Sequence, residues 1–421
     1  MNIRITPSAL RGRVEAIPSK SDAHRILIAA ALADQPTVVR LGSSSRDIQA
    51  TMECVRSLGA KIDHDAPGFL NISPVWGNTG DFASLDCGES GATLRFLLPV
   101  AAALGVPATF SGQGRLPQRP LQPLVEQLEN HGCHFDRAGL PLTVRGRLTG
   151  GRYTLPGDVS SQFITGLLLA LPLLEKDSRI VLASQLESKG YVQMTIATLK
   201  KFSIAIEEHA HGYQIKGGQK YRSPQHLSVE GDWSNAAFWI CAGCLQGNEI
   251  LCGGLAQDSW QGDKEIINLL RGFDANVSFF KDTAYATGKP LKALRIDAAE
   301  IPDLIPVMAV VATAAAGTTV IYNAKRLRIK ESDRLAAIAQ SLSQVGADVT
   351  EREDALLIRG GKPLRGGVVQ GFGDHRIVMS MAIAAALCES ELIIEGAEAV
   401  DKSYPQFFDH FKRLGGIADV I

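Results

Sequence analysis

The sequence predicts an α/β protein of two domains, each assembled from three copies of one unit. Three observations carry this. At 421 residues the chain is longer than one ordinary hydrophobic core spans. A Gly or Pro with polar neighbours repeatedly opens a very apolar, Ala/Leu-rich helix. These openings fall at Pro18, Gly88, Gly157, Gly231, Pro302 and Gly373, with successive differences of 70, 69, 74, 71 and 71. After a β-like stretch a second, amphipathic helix follows each time. It begins near Asp47, Pro120, Tyr191, Asp263, Ser332 and Tyr404, with differences of 73, 71, 72, 69 and 72. Solenoid repeats run to about 20–50 residues, so a unit of this length forms a small α/β layer of its own.

In chain order, Met1-Asn2-Ile3-Arg4-Ile5-Thr6-Pro7 alternates as a short strand and does not read as a signal peptide. This strand stands outside the repeat. The apolar first helices are expected over 25–33, 93–104, 163–174, 236–245, 304–316 and 377–388. Hydrophobic nearly all round, they are the buried ones. The second helices keep one face in solvent, and several stop at glycine, as in Leu58-Gly59-Ala60 and Val345-Gly346-Ala347. The domain cut falls at the halfway point, giving 18–228 as one domain and 1–17 with 229–421 as the other, the N-terminal strand crossing over.

Composition narrows the function classes. Hydrophobic residues make up 45% and charged residues 21%, the profile of a globular protein, and the formal net charge is −1. No basic excess or aromatic-basic interleaving points to nucleic acid. Anion binding must therefore be local. The seven cysteines (Cys54, Cys87, Cys133, Cys241, Cys244, Cys252, Cys388) are scattered through apolar stretches. Cys241 and Cys244 have zinc-like spacing but no second ligand pair, so they read as a buried helical pair. Reduced thiols and the lack of a membrane-length apolar run lead to the expectation of a cytoplasmic, non-membrane protein.

The densest charge lies in Arg328-Ile329-Lys330-Glu331-Ser332-Asp333-Arg334. It runs into Leu335, Ile338, Leu342 and Val345, an apolar stripe at helical spacing. Ser332 or Asp333 caps that helix, which clusters Lys330, Glu331 and Arg334 at its electropositive end. Cations, a carboxylate and free N–H groups suit a small anionic ligand that exchanges protons. Other polar residues recur at matched repeat positions. Ahead of first helices stand Lys20, Ser21 and Arg25, then Ser90, Gly91 and Arg95, then Ser160, Ser161 and Gln162, and later Asp303 and Asp374, His375 and Arg376. Ahead of second helices stand Arg115, Ser188, Tyr191 and Lys402. Each alone reads as a cap or a solvated surface charge. Together they read as a site.

The ordered set Pro18-Ser19-Lys20-Ser21…Arg25, Gly88-Glu89-Ser90-Gly91…Arg95, Arg115…Arg119-Pro120, Ser160-Ser161-Gln162-Phe163, Lys330–Arg334, Gly373-Asp374-His375-Arg376 and Lys402-Ser403-Tyr404-Pro405 resembles EPSP synthases (3-phosphoshikimate 1-carboxyvinyltransferases). The resemblance covers essentially the whole chain. It implies an enolpyruvyltransferase-type inside-out α/β barrel, with three βαβαββ units per domain and a ligand cleft between the domains. It also implies transfer of the enolpyruvyl group of phosphoenolpyruvate to the 5-hydroxyl of 3-phosphoshikimate, with no metal or other cofactor, by a monomer.

Position by position, the resemblance assigns Lys20, Ser21, Arg25, Ser160, Ser161, Gln162, Ser188, Tyr191, Asp303 and Lys330 to 3-phosphoshikimate. Lys20, Gly91, Arg115, Gln162, Arg334, His375, Arg376 and Lys402 go to phosphoenolpyruvate. Asp303 would accept the hydroxyl proton, and Glu331, with Lys20, would protonate the methylene carbon. Two departures stand out: Glu89 replaces the Asn of many members, and Arg326 takes the place of an Asn ahead of Lys330. Two rival readings fit the sequence less well. The sister enolpyruvyltransferase acting on UDP-N-acetylglucosamine uses a loop cysteine that Gly112–Arg119 lacks, and an inactive binding protein would not need Lys20, Asp303, Glu331 and Lys402 together.

Overall fold

Six small sheets with one shared strand order carry the fold, in a computed structural model that describes all 421 residues, Met1–Ile421. In the second repeat, Ala83–Asp86 runs parallel to Ala108–Ser111. Leu142–Gly146 then pairs antiparallel, and Cys133–Phe135 forms the far edge. The third repeat copies this with Arg152–Leu155, Ser178–Leu182, Gly212–Ile215 and Ile206–His209. Each repeat therefore lays its strands in the order first, second, fourth, third. In these two repeats the helix after the first strand makes the parallel crossover, and a short return joins the last two strands.

Three strands come from elsewhere in the chain. His226–Ser228 opens the first repeat's sheet beside Thr37–Arg40. Arg11–Glu15 opens the fourth beside Glu249–Gly253. Asn2–Thr6 closes the sixth between Leu392–Glu395 and Ile417–Val420. Without these loans, three sheets would each lack a strand and leave another edge unpaired. Contacts divide the chain into two compact units, Met1–Ser19 with Glu230–Ile421, and Lys20–Val229.

The Lys20–Val229 unit carries α1 (Lys20–Ala31), α2 (Arg46–Ser57), α3 (Gly91–Leu104), α4 (Gln122–Glu129), α5 (Ser161–Ala170) and α6 (Lys189–Lys201). The other carries α7 (Trp233–Cys244), α8 (Ile266–Gly272), α9 (Ile305–Ala314), α10 (Arg334–Gln344), α11 (His375–Ala384) and α12 (Phe407–Arg413). The odd-numbered helices are the apolar ones and run through the cores: Ile305–Thr313 is buried without interruption in α9, as is every residue of α11. Each unit has its own core, one around Trp239, Met308 and Phe407, the other around Phe96, Leu97 and Phe163.

Helix limits differ from the sequence expectation in one systematic way. Five of the six first helices begin two to five residues ahead of their apolar run, at Lys20, Gly91, Ser161, Trp233 and His375. Periodicity marks only the apolar turns, while most opening turns carry polar residues, several of them buried, such as Ser161, Asn235, His375 and Arg376. At the far end, α9 stops at Ala314 because Ala315–Tyr322 already belongs to a strand. All seven cysteines are buried and none forms a disulfide. No helix is long and apolar enough to cross a membrane.

Candidate active site

Because the opening turns are polar, they decide which side chains gather. In the Lys20–Val229 unit, Lys20 at the start of α1 reaches Asp47 in the first turn of α2, Nζ to Oδ2 at 2.9 Å. Arg25, one turn on, is 2% exposed and lies over the Phe96 ring at 5.1 Å. It donates from Nε to the Thr195 hydroxyl at 2.8 Å, from Nη1 to the Ser21 carbonyl at 2.6 Å and from Nη2 to the Tyr191 carbonyl at 2.8 Å. Burial lowers its guanidinium to about 10. In this state Arg25 clamps Ser21 and Tyr191, two of the residues assigned to 3-phosphoshikimate. Ser188 precedes α6 in a left-handed conformation (φ 55°, ψ 46°) and is buried.

A second group forms around Gly91, the first residue of α3. Ser90 caps the helix, its hydroxyl accepting from the Thr93 N–H at 3.2 Å. A Cβ at residue 91 would stand 2.7 Å from Nη1 of both Arg95 and Arg119, so two guanidiniums overlie this glycine. Arg95 is fixed there by Gln162 Oε1 at 2.7 Å and the Pro120 carbonyl at 2.8 Å. Ser160 caps α5 by accepting from the Gln162 N–H at 3.3 Å, and Ser161 is buried at the helix start. Arg119 carries no ligand in the residue assignment, which names Arg115. In the structure Arg115 stands at the head of the short 3-10 turn Leu116–Gln118. The Arg-x-x-x-Arg-Pro spacing was the available signal, and only the fold tells which arginine meets Gly91. Glu89 lies against Gly114, where a Cβ would meet its carboxyl carbon at 2.7 Å.

In the other unit the gathering point is Arg334, 1% exposed. Its Nη1 donates to Asp303 Oδ1 at 2.6 Å, Nη2 to Glu331 Oε2 at 2.7 Å and Nε to Asp374 Oδ2 at 2.8 Å. Asp333 caps α10 through the Ala336 N–H at 3.1 Å, which leaves the Ser332 hydroxyl to reach Asp374 Oδ2 at 3.0 Å. Asp374, fully buried, caps α11 by accepting from the Arg376 N–H at 3.0 Å. Arg376 donates from Nη2 to Asp303 Oδ2 at 3.2 Å and from Nη1 to the Asp303 carbonyl at 3.1 Å. His375 and Lys402 are both buried, at 1% and 6% exposure, His375 at the start of α11 and Lys402 at the end of the 3-10 turn Ala397–Lys402.

Burial alone would raise the Asp303 carboxyl. The Arg376 and Arg334 guanidiniums and the Lys330 ammonium outweigh it and hold Asp303 well below the usual carboxylate range. Lys330 moves the other way: burial, with Arg326 and Arg334 nearby, lowers it to about 7. Arg334, pressed among three carboxylates, is held charged against the pull of burial. Chemically this is a set of fixed cations and helix ends with two carboxylates, Asp303 and Glu331, tied to the same guanidinium. No group of three or more His, Cys, Asp or Glu side chains is arranged to hold a metal ion.

The six-repeat fold is that of the enolpyruvyl transferases. EPSP synthase from Acinetobacter baumannii superposes with a TM-score of 0.83 at 25% identity, covering 100% of both chains. The enolpyruvyl transferase NikO from Streptomyces tendae gives 0.82 at 18% identity over 99% of this chain and 98% of its own. Sequence narrows the class. The profile of EPSP synthase (3-phosphoshikimate 1-carboxyvinyltransferase) matches residues 5–411. Among curated relatives, the 3-phosphoshikimate 1-carboxyvinyltransferase of Clostridium novyi is 44% identical over 99% of this chain and 98% of its own length. That of Clostridium acetobutylicum is also 44% identical, over 98% and 97%. The chain belongs to the EPSP synthase family.

Proposed function

We propose that the chain transfers the enolpyruvyl group of phosphoenolpyruvate to the 5-hydroxyl of 3-phosphoshikimate, forming 5-enolpyruvylshikimate 3-phosphate and releasing phosphate. Near-full-length identity to enzymes of that name supports the reading. The observation that carries the chemistry is Arg334 joining Asp303, Glu331 and Asp374. Lys20, Ser21, Arg25, Ser160, Ser161, Gln162, Ser188, Tyr191, Asp303 and Lys330 serve 3-phosphoshikimate. Lys20, Gly91, Arg115, Gln162, Arg334, His375, Arg376 and Lys402 serve phosphoenolpyruvate, and Arg119 and Arg95 join them at Gly91. With two carboxylates and two phosphates to hold, lysines, arginines and helix N-termini supply the countercharge.

Glu331, with Lys20, delivers a proton to the methylene carbon, and the resulting cationic centre is attacked by the 5-oxygen. Asp303 takes the hydroxyl proton. The tetrahedral adduct then returns a methyl proton and expels phosphate, restoring the double bond. Asp303 is a weak base while two guanidiniums and Lys330 face it. Substrate anions that draw those cations toward themselves raise its basicity, so the base becomes competent only when the site is filled. Arg25 acts by holding Ser21 and Tyr191 in place. The chain works as a monomer in the cytoplasm, where its seven buried thiols stay reduced.

The test is phosphate release from phosphoenolpyruvate with either 3-phosphoshikimate or UDP-N-acetylglucosamine as acceptor. Release only with 3-phosphoshikimate is expected. Release only with the sugar nucleotide, or with neither, overturns the reading.

A further inference from the structure

Asp263 has no task in the reaction above, yet it stands behind the Asp303–Arg376 pair. It lies in the 3-10 turn Gly262–Glu265 ahead of α8 and is 2% exposed. Its Oδ2 accepts the hydroxyl of Ser234, from the first turn of α7, in a very short hydrogen bond. No protein donor reaches its buried Oδ1. The charged groups facing it are Asp303, Arg376 and Asp232. A carboxylate in this position would place part of its charge on a buried oxygen that no protein group donates to, and the neutral acid avoids that cost. Burial first, and then repulsion from Asp303, raise its carboxyl to about 7, against the pull of Arg376 and the Ser234 bond.

Ser234 carries this position into the site. Its carbonyl accepts from Arg376 Nη1 at 3.5 Å, a long contact, while the Asp303 carbonyl accepts from the same nitrogen at 3.1 Å. The set of the Arg376 guanidinium is thus shared between Ser234 and Asp303. We propose that Asp263 is a positioning residue for donor binding: as a neutral acid it fixes Ser234 and leaves Arg376 facing the anionic donor, and once ionised it draws Arg376 back. This rests on reading Arg376 as a phosphoenolpyruvate ligand in enolpyruvyl transfer.

The experiment compares wild type with Asp263→Asn, whose amide accepts from Ser234 and cannot ionise. KM for phosphoenolpyruvate and kcat are measured from pH 6 to pH 9 at saturating 3-phosphoshikimate. A group titrating near 7 passes from half to almost fully ionised by pH 8.5, so the wild-type KM rises by about tenfold over that span. D263N keeps its low KM throughout, with kcat within about threefold of wild type at pH 6.5. Infrared difference spectra supply a readout independent of turnover: the carbonyl band of a protonated carboxylic acid at pH 6, lost in D263N. An identical alkaline rise in both proteins overturns the proposal, as does a folded D263N that is inactive at every pH. A missing acid band overturns it too, even in a fully active enzyme. Wild type inactive with 3-phosphoshikimate, but showing the band, would instead overturn the functional reading beneath it.

Discussion

Replacing Arg334 by lysine probes the centre of the site with the charge retained. Arg334 is buried, and each of its three nitrogens faces a different carboxylate, at 2.6 Å (Asp303), 2.7 Å (Glu331) and 2.8 Å (Asp374). An ammonium is a point charge on a flexible stem and cannot span that fork. Asp374 suffers most, because it is fully buried and would keep only the Ser332 hydroxyl and the Arg376 N–H among these partners. Breaking a buried ion pair costs about 3–5 kcal/mol when the remaining charge is uncompensated. Those two donors, and an ammonium still nearby, reduce this, so Arg334→Lys should destabilise its unit by about 2–4 kcal/mol. Turnover should fall by about 100-fold, since Asp303 and Glu331 lose a shared anchor. Urea unfolding followed by tryptophan fluorescence suits the measurement: Trp233, Trp239 and Trp260 lie in this unit and only Trp76 in the other. A loss under about 1 kcal/mol with turnover near wild type would refute the argument that the fork organises the three carboxylates.

Gly91→Ala places a methyl 2.7 Å from the Arg95 and Arg119 guanidinium nitrogens. Arg95 is held there by Gln162 and the Pro120 carbonyl, so the methyl must displace anchored guanidiniums, and KM for phosphoenolpyruvate should rise by about tenfold, read from steady-state kinetics. Asp303→Asn and Glu331→Gln should each cut turnover by about 100-fold or more, as expected for a lost proton-transfer group. Turnover within a few-fold of wild type removes that residue from the mechanism. Asp303→Asn also has a signature in stability against pH. A carboxyl held below its ordinary value contributes stability above the unfolded pKa of about 3.9 and loses it as pH falls through the folded value. The melting temperature of Asp303→Asn should therefore trail wild type at pH 7 and approach it toward pH 3.

The repeat was legible because its marks are local. Glycine and proline punctuation and helical periods lie within one unit and need no partner to be read. Strand exchange was less so. The alternation of Ile3 and Ile5 tells that a strand exists, but Arg11–Glu15, with one buried residue in five, has no apolar signature announcing its pairing with Glu249–Gly253. That pairing is set by the fourth sheet's need for an opening strand. At the site, residues standing in motifs could be named in advance, but their partners could not. Arg25 reads as a phosphate cation, yet its donors serve two carbonyls and two threonine hydroxyls, which depends on where α5 and α6 pass α1. Asp263 was visible only as the start of a second helix, since nothing local says that Ser234 will meet it or that no protein donor will reach its other, buried oxygen.

The geometry gives one reason why this chemistry sits on repeats. The start of a first helix meets the start of the following second helix in several units, and the meeting is a polar pair each time. Lys20 bonds Asp47, Ser234 bonds Asp263 and Asp303 bonds Arg334, at sequence separations of 27, 29 and 31. The backbone supplies the same junction, and the residues placed there set its charge. In the Glu230–Ile421 unit two such junctions push aspartates in opposite directions. Asp303, between two guanidiniums, is held ionised, while Asp263, buried with a hydroxyl and facing Asp303, is held near neutrality. Two like groups whose surroundings separate their acidities can take different roles in one site. For Asp303 the same cations that keep it ionised also keep it a poor base, so in the proposed transfer the anions it awaits are those of the substrates. In that proposal the electrostatics of the junction tie the basicity of Asp303 to occupancy of the site.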